Sequence, residues 1–149
     1  MRLVIQRVAS AEVRVDDRVC GSIKAGLLAF VSVEEGDRES DVKYCVDKSA
    51  NLRIFEDGQG KMNRSVLDSG GSVLAISQFT LHGDARKGLR PGFSCASRPE
   101  AAEELFFLYC AGLRAAGLEV AEGEFRAHMH VSLINDGPVT ILLDSRKVF

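Results

Sequence analysis

Residues 27–33 read Leu27-Leu28-Ala29-Phe30-Val31-Ser32-Val33, an apolar run with β-branched residues at its end. An uninterrupted apolar run of this length is typical of a strand that is covered on both faces. Further strands are predicted on its N-terminal side. Leu3 to Val8 is largely apolar, residues 12–15 alternate with a period of two, and Val19 to Ile23 follows a turn at Asp16-Asp17. We therefore expect residues 27–33 to form the buried central strand of a sheet.

Two helices are predicted from apolar residues that recur at helical spacing. The first runs from about Asp41 to Leu52, with Ser40 as its N-cap. Its expected buried face comprises Val42, Cys45, Val46 and Ala50. The second begins at a capping box, Ser97-Arg98-Pro99-Glu100, and ends at Gly117. Its expected buried stripe comprises Leu105, Leu108, Tyr109, Gly112, Leu113 and Ala116.

The later strands complete the predicted fold. Val73 to Ile76 forms a strand that continues into Ser77-Gln78-Phe79-Thr80-Leu81, and residues 82–98 are irregular. Near the C-terminus, Val131 to Ile134 and Val139 to Leu143 are strands joined by a turn at Asn135-Asp136-Gly137-Pro138. Many strands with two main helices predict one α+β domain over residues 1–149. Its sheet is mostly antiparallel, with the helices on one face.

Composition excludes several classes of protein. The 149 residues carry 19 Lys and Arg against 21 Asp and Glu, a net charge of −2, which argues against coating nucleic acid by bulk electrostatics. No apolar run reaches the ~18 residues of a membrane span, and Arg7 interrupts the N-terminal apolar stretch too early for a signal peptide. We expect a cytoplasmic location. Four cysteines without a C-x-x-C spacing are expected to be reduced and structural.

Side chains that could carry chemistry are few. There is no Gly-rich phosphate loop. His128 and His130 could share a strand face, but with His82 as the only other histidine we expect no metal site. Ser77 and Thr80 are candidate nucleophiles without a base at an informative spacing. The basic residues of the irregular segment are either a solvated loop or a grip for phosphate; they are Arg86, Lys87, Arg90 and Arg98.

Two motifs together give a more specific indication. Ser77-Gln78-Phe79-Thr80-Leu81 and Asn135-Asp136-Gly137-Pro138-Val139-Thr140 resemble the signature motifs of the D-aminoacyl-tRNA deacylase family. The resemblance covers the whole chain. Three further stretches match in order: Val4-Ile5-Gln6-Arg7-Val8, Asn51-Leu52-Arg53-Ile54-Phe55 with Gly60-Lys61-Met62-Asn63, and Lys87-Gly88-Leu89-Arg90-Pro91.

The resemblance implies a partly closed barrel and a homodimeric tRNA-editing enzyme without a metal or other cofactor. Such an enzyme hydrolyses the ester between a D-amino acid and the terminal ribose of tRNA. Glycine mischarged onto an alanine tRNA is a further expected substrate. No membrane and no stable DNA partner are expected.

The resemblance also implies roles for individual residues. Gly137 and Pro138, joined by a cis bond, would enter the partner's active site and exclude L-amino acids, and Arg7 would hold them. The catalytic pocket would be lined by Ser77, Gln78, Phe79 and Thr80. Backbone N–H groups near Phe79 and Thr80 would hold the substrate carbonyl, and the 2′-hydroxyl of the tRNA would assist. In the second, lower-ranked mechanism, the hydroxyl of Thr80 attacks the ester as a nucleophile. Phe125 and Met129 would lie near the terminal adenosine, and Arg86, Lys87 and Arg90 are the candidates for tRNA phosphate.

One segment departs from the family pattern. Many relatives have a Gly-Ala pair after the phenylalanine that matches Phe125, whereas Arg126-Ala127-His128 follows here, and these residues could alter RNA contacts or the pocket rim. Two alternatives stay open. One is the relative that edits L-alanine from a threonine tRNA, and the other is a non-catalytic module that binds tRNA or DNA. The retained Gln6-Arg7 and Ser77-Gln78-Phe79 favour the D-specific class.

Overall fold

A computed structural model describes all 149 residues. The strands are β1 (Arg2–Val15), β2 (Arg18–Ile23), β3 (Gly26–Ser32), β4 (Phe55–Glu56), β5 (Met62–Arg64), β6 (Ser72–Ser77), β7 (Val120–Glu122) and β8 (His130–Asp144). The helices are α1 (Glu39–Asn51), a single turn α2 (Val66–Ser69) and α3 (Pro99–Ala115), with a 3₁₀ helix at Phe79–His82. The α+β class with two main helices is confirmed. No helix is long and apolar enough to cross a membrane.

The main sheet is a mixed sheet that almost closes into a barrel. Its order is β2-β1-β3-β6-β7, and β8 pairs with β1. The three pairings of β1 are antiparallel, as predicted, whereas β3–β6 and β6–β7 are parallel. The first and last strands of this order, β2 and β7, approach each other at Gly21, where an added Cβ would lie 3.3 Å from the Cβ of Ala121. Glycine therefore permits the close approach of β2 and β7.

Residues 27–33 are central, as predicted, because β3 lies in the middle of the sheet and both of its faces are buried. Leu27, Ala29 and Val31 face the cluster that contains α1 and α3. Leu28 faces the smaller cluster inside the barrel, with Val8, Val13, Leu74 and Ile76. The period of two in a strand thus explains how one apolar run contributes to two cores.

Both helices begin differently from the sequence prediction. The first starts at Glu39, so Ser40 lies inside the helix and the N-cap is Arg38. The backbone N–H of Arg38 donates to the carboxylate of Asp41 at 2.9 Å. The second starts at Pro99, and the predicted box at Ser97 is wrong. The backbone N–H of Ser97 instead donates to the carbonyl of Val33 at 3.0 Å, which ties the loop to the end of β3.

The helix faces are only partly as predicted. Val42, Cys45 and Ala50 are buried in α1. In α3 the buried stripe is Phe106, Tyr109, Cys110 and Leu113, whereas Leu108 is exposed. Apolar residues lie on several sides of α3, so the spacing of apolar residues alone does not show which face of the helix meets the sheet. The predicted end of α3 is correct, because Gly117 follows it with φ of +96°.

Two predicted strands end or continue differently. The strand predicted through Leu81 ends at Ser77, and the 3₁₀ helix follows. The predicted turn at residues 135–138 does not separate two strands, because β8 is continuous along β1. Gln6 pairs with Thr140 and Val8 pairs with Asn135, so residues 136–139 form a bulge opposite Arg7.

Candidate active site

A cleft of about 540 Å³ lies at the C-terminal end of β6. Its walls are Ser77, Gln78, Phe79 and Thr80 on one side and the segment 125–129 on the other, with Ser97, Pro99 and Ala102 at the start of α3. Parallel pairing of β3 and β6 brings Ser32 and Ser77 to the same end of the sheet. The fold therefore gathers the Ser-Gln-Phe-Thr motif, Phe125 and Met129 around one space.

The 3₁₀ helix leaves two backbone donors available at this cleft. The N–H groups of Phe79 and Thr80 have no backbone acceptor, because they begin a helix whose first bond runs from Leu81 to the carbonyl of Gln78. The N–H of Gln78 donates to Val31 at 2.8 Å and anchors the turn to β3. Adjacent free amides in a cleft are suited to hold a carbonyl oxygen that gains negative charge.

Thr80 lacks the partner that a nucleophile needs. Its hydroxyl accepts a hydrogen bond from the side-chain amide of Gln78. The nearest imidazole along the chain, that of His82, is bonded to Ser32 instead. No basic side chain is therefore hydrogen-bonded to the hydroxyl of Thr80.

A buried polar cluster adjoins the turn, and sequence reasoning did not find it. Nδ1 of His82 lies 2.6 Å from Oγ of Ser32, which in turn lies 3.3 Å from the carbonyl oxygen of Phe79. Nε2 of His82 lies 3.5 Å from Glu34. Burial, followed by the nearby Arg2 guanidinium, lowers the pKa of His82 below its usual value. Ser32 and His82 are 50 residues apart, so only the tertiary structure brings them together.

The segment 125–129 forms the opposite wall. The ring of Phe125 lies 6.2 Å from that of Phe106, so it both packs on the core and lines the cleft. Arg126 adopts φ of +63°, a conformation that a non-glycine residue rarely takes, and it also lines the cleft. The nearby Glu124 is paired with Arg18 rather than with Arg126. His128 lines the cleft as well, with its ring 5.1 Å from that of His130.

The bulge of β8 carries the second motif away from this cleft. Asp136, Gly137 and Pro138 are exposed, and the Gly137–Pro138 peptide bond is cis. The side chain of Asn135 closes the bulge, because its amide donates to the carbonyl of Val139 at 3.0 Å and its oxygen accepts the N–H of Val139 at 2.7 Å. The role of Asn135 was missed by sequence reasoning, although the residue belongs to the quoted motif.

Arg7 fastens the bulge to the body of the protein. It is 5% exposed and donates to the carbonyls of Asp136 at 2.8 Å and Ile54 at 2.7 Å. A guanidinium is suited to this task because its donors form a fixed planar fork. The exposed Gly137 and Pro138 thus project from a base that is held by Arg7 and Asn135.

The predicted phosphate grip lies outside the cleft lining. Arg86, Lys87 and Arg90 are exposed on the irregular segment. The guanidinium of Arg86 is engaged by Asp84 at 2.7 Å and 2.8 Å, and it holds the pKa of that carboxyl well below its usual range. The structure contains no cluster of three or more His, Cys, Asp or Glu side chains with metal-site geometry.

Comparison with known proteins identifies the family. The sequence profile of D-Tyr-tRNA(Tyr) deacylases matches residues 4–144. The chain belongs to the D-Tyr-tRNA(Tyr) deacylase family. A protein of Koribacter versatilis named D-aminoacyl-tRNA deacylase is 56% identical over 149 residues, and one of Anaeromyxobacter dehalogenans with the same name is 58% identical. In both cases the match covers 100% of each chain. The chain is accordingly an enzyme, a hydrolase of the deacylase class.

Solved structures confirm the deacylase fold. The protein described as the c-Myc DNA Unwinding Element Binding Protein superposes with a TM-score of 0.91 at 36% identity, covering 97% of this chain and 98% of that one. A probable eukaryotic D-amino acid tRNA deacylase superposes with a TM-score of 0.81, covering 95% and 97%. At 15% identity this second likeness concerns the fold alone.

Proposed function

We propose that this deacylase hydrolyses the ester that joins a D-amino acid, or glycine on an alanine tRNA, to the terminal ribose of tRNA. The observation that carries the proposal is the pair of free N–H groups at Phe79 and Thr80 beside the cleft. They would bind the ester carbonyl and stabilise the negative charge that develops when water attacks it. The ester C–O bond then breaks, releasing the amino acid and a tRNA with a free terminal hydroxyl.

Catalysis in this proposal depends on backbone and RNA groups more than on side chains. The 2′-hydroxyl of the terminal ribose assists the attacking water, since no basic side chain is hydrogen-bonded to Thr80. A nucleophilic Thr80 is the weaker mechanism, since its hydroxyl accepts from Gln78 and lacks a base. Phe125 and Met129 would contact the terminal adenosine, where an aromatic ring offers a stacking surface.

Selection against L-amino acids would require a second copy of the chain. The cleft of one chain is not lined by Gly137 or Pro138, which are exposed on the bulge. We infer that in a homodimer this bulge enters the partner's cleft and occupies the space of an L side chain. Arg7 and Asn135 support this role because they hold the bulge at its base.

We infer that Arg126 and His128, which line the cleft, contact the tRNA backbone closest to the ester. The basic residues predicted from the sequence lie outside the cleft lining; they are Arg86, Lys87 and Arg90. Arg126 lines the cleft without a carboxylate partner, whereas Arg86 is engaged by Asp84. A phosphate next to the terminal nucleoside would thus meet a free guanidinium at the cleft wall. The exposed Lys87 and Arg90 would contact RNA farther from the ester.

The deciding experiment compares hydrolysis of D-tyrosyl-tRNA and L-tyrosyl-tRNA by the purified protein in the presence of a chelator. Rapid loss of the D ester with the L ester spared is the expected result. Cleavage of L-alanyl-tRNA(Thr) in preference to D substrates would support the L-editing alternative. Hydrolysis of neither, together with binding of tRNA or duplex DNA, would support a binding module, an alternative favoured by the DNA-binding name of one structural neighbour.

A mixed dimer tests whether the bulge acts across subunits. Gly137→Val damages the bulge, because a Cβ there would lie 2.6 Å from Cγ2 of Val139, and Ala127→Trp fills the cleft. A heterodimer of the two variants, isolated through two affinity tags, contains one site with an intact cleft and an intact bulge. We expect it to recover the D-over-L preference that neither homodimer has. No recovery in a correctly assembled heterodimer would contradict action across subunits.

A further inference from the structure

We propose that Ser32 and His82 are positioning residues, which hold the 3₁₀ helix so that the N–H groups of Phe79 and Thr80 point at the reacting ester. The inference rests on the proposed function, because it concerns the same two amides. It adds a pair of side chains outside both sequence motifs. Ser32 borders the cleft but is 1% exposed, so we expect neither residue to touch the substrate ester, and both act through the backbone of the turn.

The contacts form a continuous chain from the imidazole to the turn. Nδ1 of His82 and Oγ of Ser32 are 2.6 Å apart, and Oγ of Ser32 donates to the carbonyl of Phe79 at 3.3 Å. In this proposal the ring proton of His82 lies on Nδ1, because this tautomer leaves the hydroxyl proton of Ser32 free for the carbonyl of Phe79. His82 therefore donates to Ser32, and Ser32 uses its single proton to fix the peptide that follows Phe79. That peptide contains the N–H of Thr80.

The surroundings keep this chain in one arrangement. Ser32 is 1% exposed and His82 is 5% exposed, so water does not compete for their hydrogen bonds. Glu34 faces Nε2 and is itself held by Arg146 at 2.9 Å. On the other side, Arg2 donates to the carbonyl of Leu81 at 2.9 Å. The 3₁₀ helix is thus attached at Phe79 and at Leu81, and Ser32 provides the attachment nearer the cleft.

Loss of this attachment should affect the rate more than substrate binding. Without Ser32, the carbonyl of Phe79 keeps only its bond within the 3₁₀ helix, so the following amide is less restrained, and an oxyanion donor that is misplaced loses most of its effect. Removal of one such donor costs on the order of 10²–10³ in kcat in well-studied hydrolases. Because Ser32 and His82 act indirectly, we expect kcat to fall by roughly 10- to 100-fold while KM stays within about threefold.

The test uses two truncations and one conservative replacement. Ser32→Ala and His82→Leu each remove the hydrogen bond, and we expect the double variant to be no slower than the slower single variant, because both changes break one chain. His82→Asn keeps a donor near the position of Nδ1, and we expect it to retain most of the kcat for D-tyrosyl-tRNA. Hydrogen exchange of a peptide covering residues 77–82 should accelerate in the two truncations and not in His82→Asn.

A matched control is available in the core. Ser49 and Tyr109 also form a buried hydroxyl hydrogen bond, at 2.8 Å, but they join α1 to α3 away from the cleft. Ser49→Ala and Tyr109→Phe should lower the midpoint of thermal unfolding without lowering kcat. They show how much of any change in Ser32→Ala follows from general destabilisation.

The outcomes separate this inference from the proposed function. Wild-type protein that fails to hydrolyse D-tyrosyl-tRNA overturns both. If the wild type is active, an unchanged kcat in Ser32→Ala, or a fall in His82→Asn as large as that in His82→Leu, overturns the positioning role alone. Should His82→Leu fail to fold, Ser32→Ala, which removes one hydroxyl group, and the exchange of residues 77–82 still decide the question.

Discussion

At the scale of single residues, the site has backbone donors where a hydrolase commonly has a nucleophile and its base. Thr80 is a hydroxyl-bearing residue of the motif that could act as a nucleophile. Its hydroxyl, however, accepts a hydrogen bond from the side-chain amide of Gln78 and is not hydrogen-bonded to a base. The N–H groups of Phe79 and Thr80 are the groups without partners. Backbone amides are a property of the turn's conformation, so residue types in the sequence do not display them.

Thr80→Ala should therefore retain substantial activity. We expect kcat for D-tyrosyl-tRNA within about tenfold of the wild-type value, because the amide of residue 80 persists when its hydroxyl is removed. Single-turnover deacylation measures this directly, with circular dichroism as the check on folding. A loss of three or more powers of ten in a folded variant would reinstate Thr80 as the nucleophile.

Arg126 should contribute electrostatically to tRNA binding. Because it lines the cleft without a carboxylate partner, Arg126→Ala should raise KM and reduce the slope of log KM against log salt by roughly one phosphate contact. Lys24→Ala is the control, since Lys24 is exposed just before β3, at the end of the strand opposite Ser32. Equal salt slopes for the two variants would argue against a phosphate at Arg126.

At the scale of elements, periodicity located the helices and strands but not their limits. The box at Ser97 has the composition of a cap, yet Ser97 bonds to Val33 and the helix starts at Pro99. The strand predicted through Leu81 ends at Ser77, because Gln78 turns away while its N–H still bonds to β3. In each case a contact between segments distant in sequence overrode the local pattern.

The packing of α1 on α3 depends on Gly112. A Cβ at this position would lie 2.8 Å from Cγ2 of Val46, so Gly112→Ala should lower the free energy of unfolding by about 1–3 kcal/mol through overpacking. Urea denaturation measures the loss, and adding Val46→Ala should reduce it by making room. Gly58→Ala is the control because no atom lies within 4 Å of the added Cβ. Equal stability of the Gly112 and Gly58 variants would contradict the close helix contact.

At the scale of the whole molecule, burial of His82 couples stability to pH. Burial lowers the pKa of His82 in the folded state below its usual value of 6.5, which the unfolded chain retains. As the pH falls through 6.5, the unfolded chain takes up a proton that the folded protein does not, so the free energy of unfolding decreases. The charged groups that influence the ring are Arg2, Glu34, the N-terminal ammonium and Asp37.

His82→Asn should reduce this pH dependence. Urea denaturation at pH 7.5 and 5.5 gives the difference in stability for each protein, and we expect the wild type to lose more than the variant. An equal loss in the two proteins would assign the acid sensitivity to other groups.

The reactivity of the cysteine thiols depends on whether the core is folded, because Cys45 and Cys110 are buried in it. Burial raises the pKa of Cys45 to about 12 and raises that of Cys110 as well, so neither forms a thiolate near neutral pH. Cys95 is exposed. In the native protein we expect a thiol reagent to label Cys95 first and to spare Cys45 and Cys110 until unfolding, as read by mass spectrometry. Early labelling of Cys110 would contradict the packing of α3.

The sequence by itself determined the fold class, the central strand at residues 27–33, the two main helices and the family, because periodicity and motifs are properties of neighbouring residues. Only the tertiary structure decided the cluster of Ser32, His82 and Glu34 and the closure of the bulge by Asn135. The roles of the amides at Phe79 and Thr80 and of Arg7 were expected from the family resemblance and not from any local pattern. These features depend on hydrogen bonds between segments that lie far apart in the chain or on the exact path of a turn. A local pattern does not encode such geometry, since it follows from how the strands pair and curl around the core.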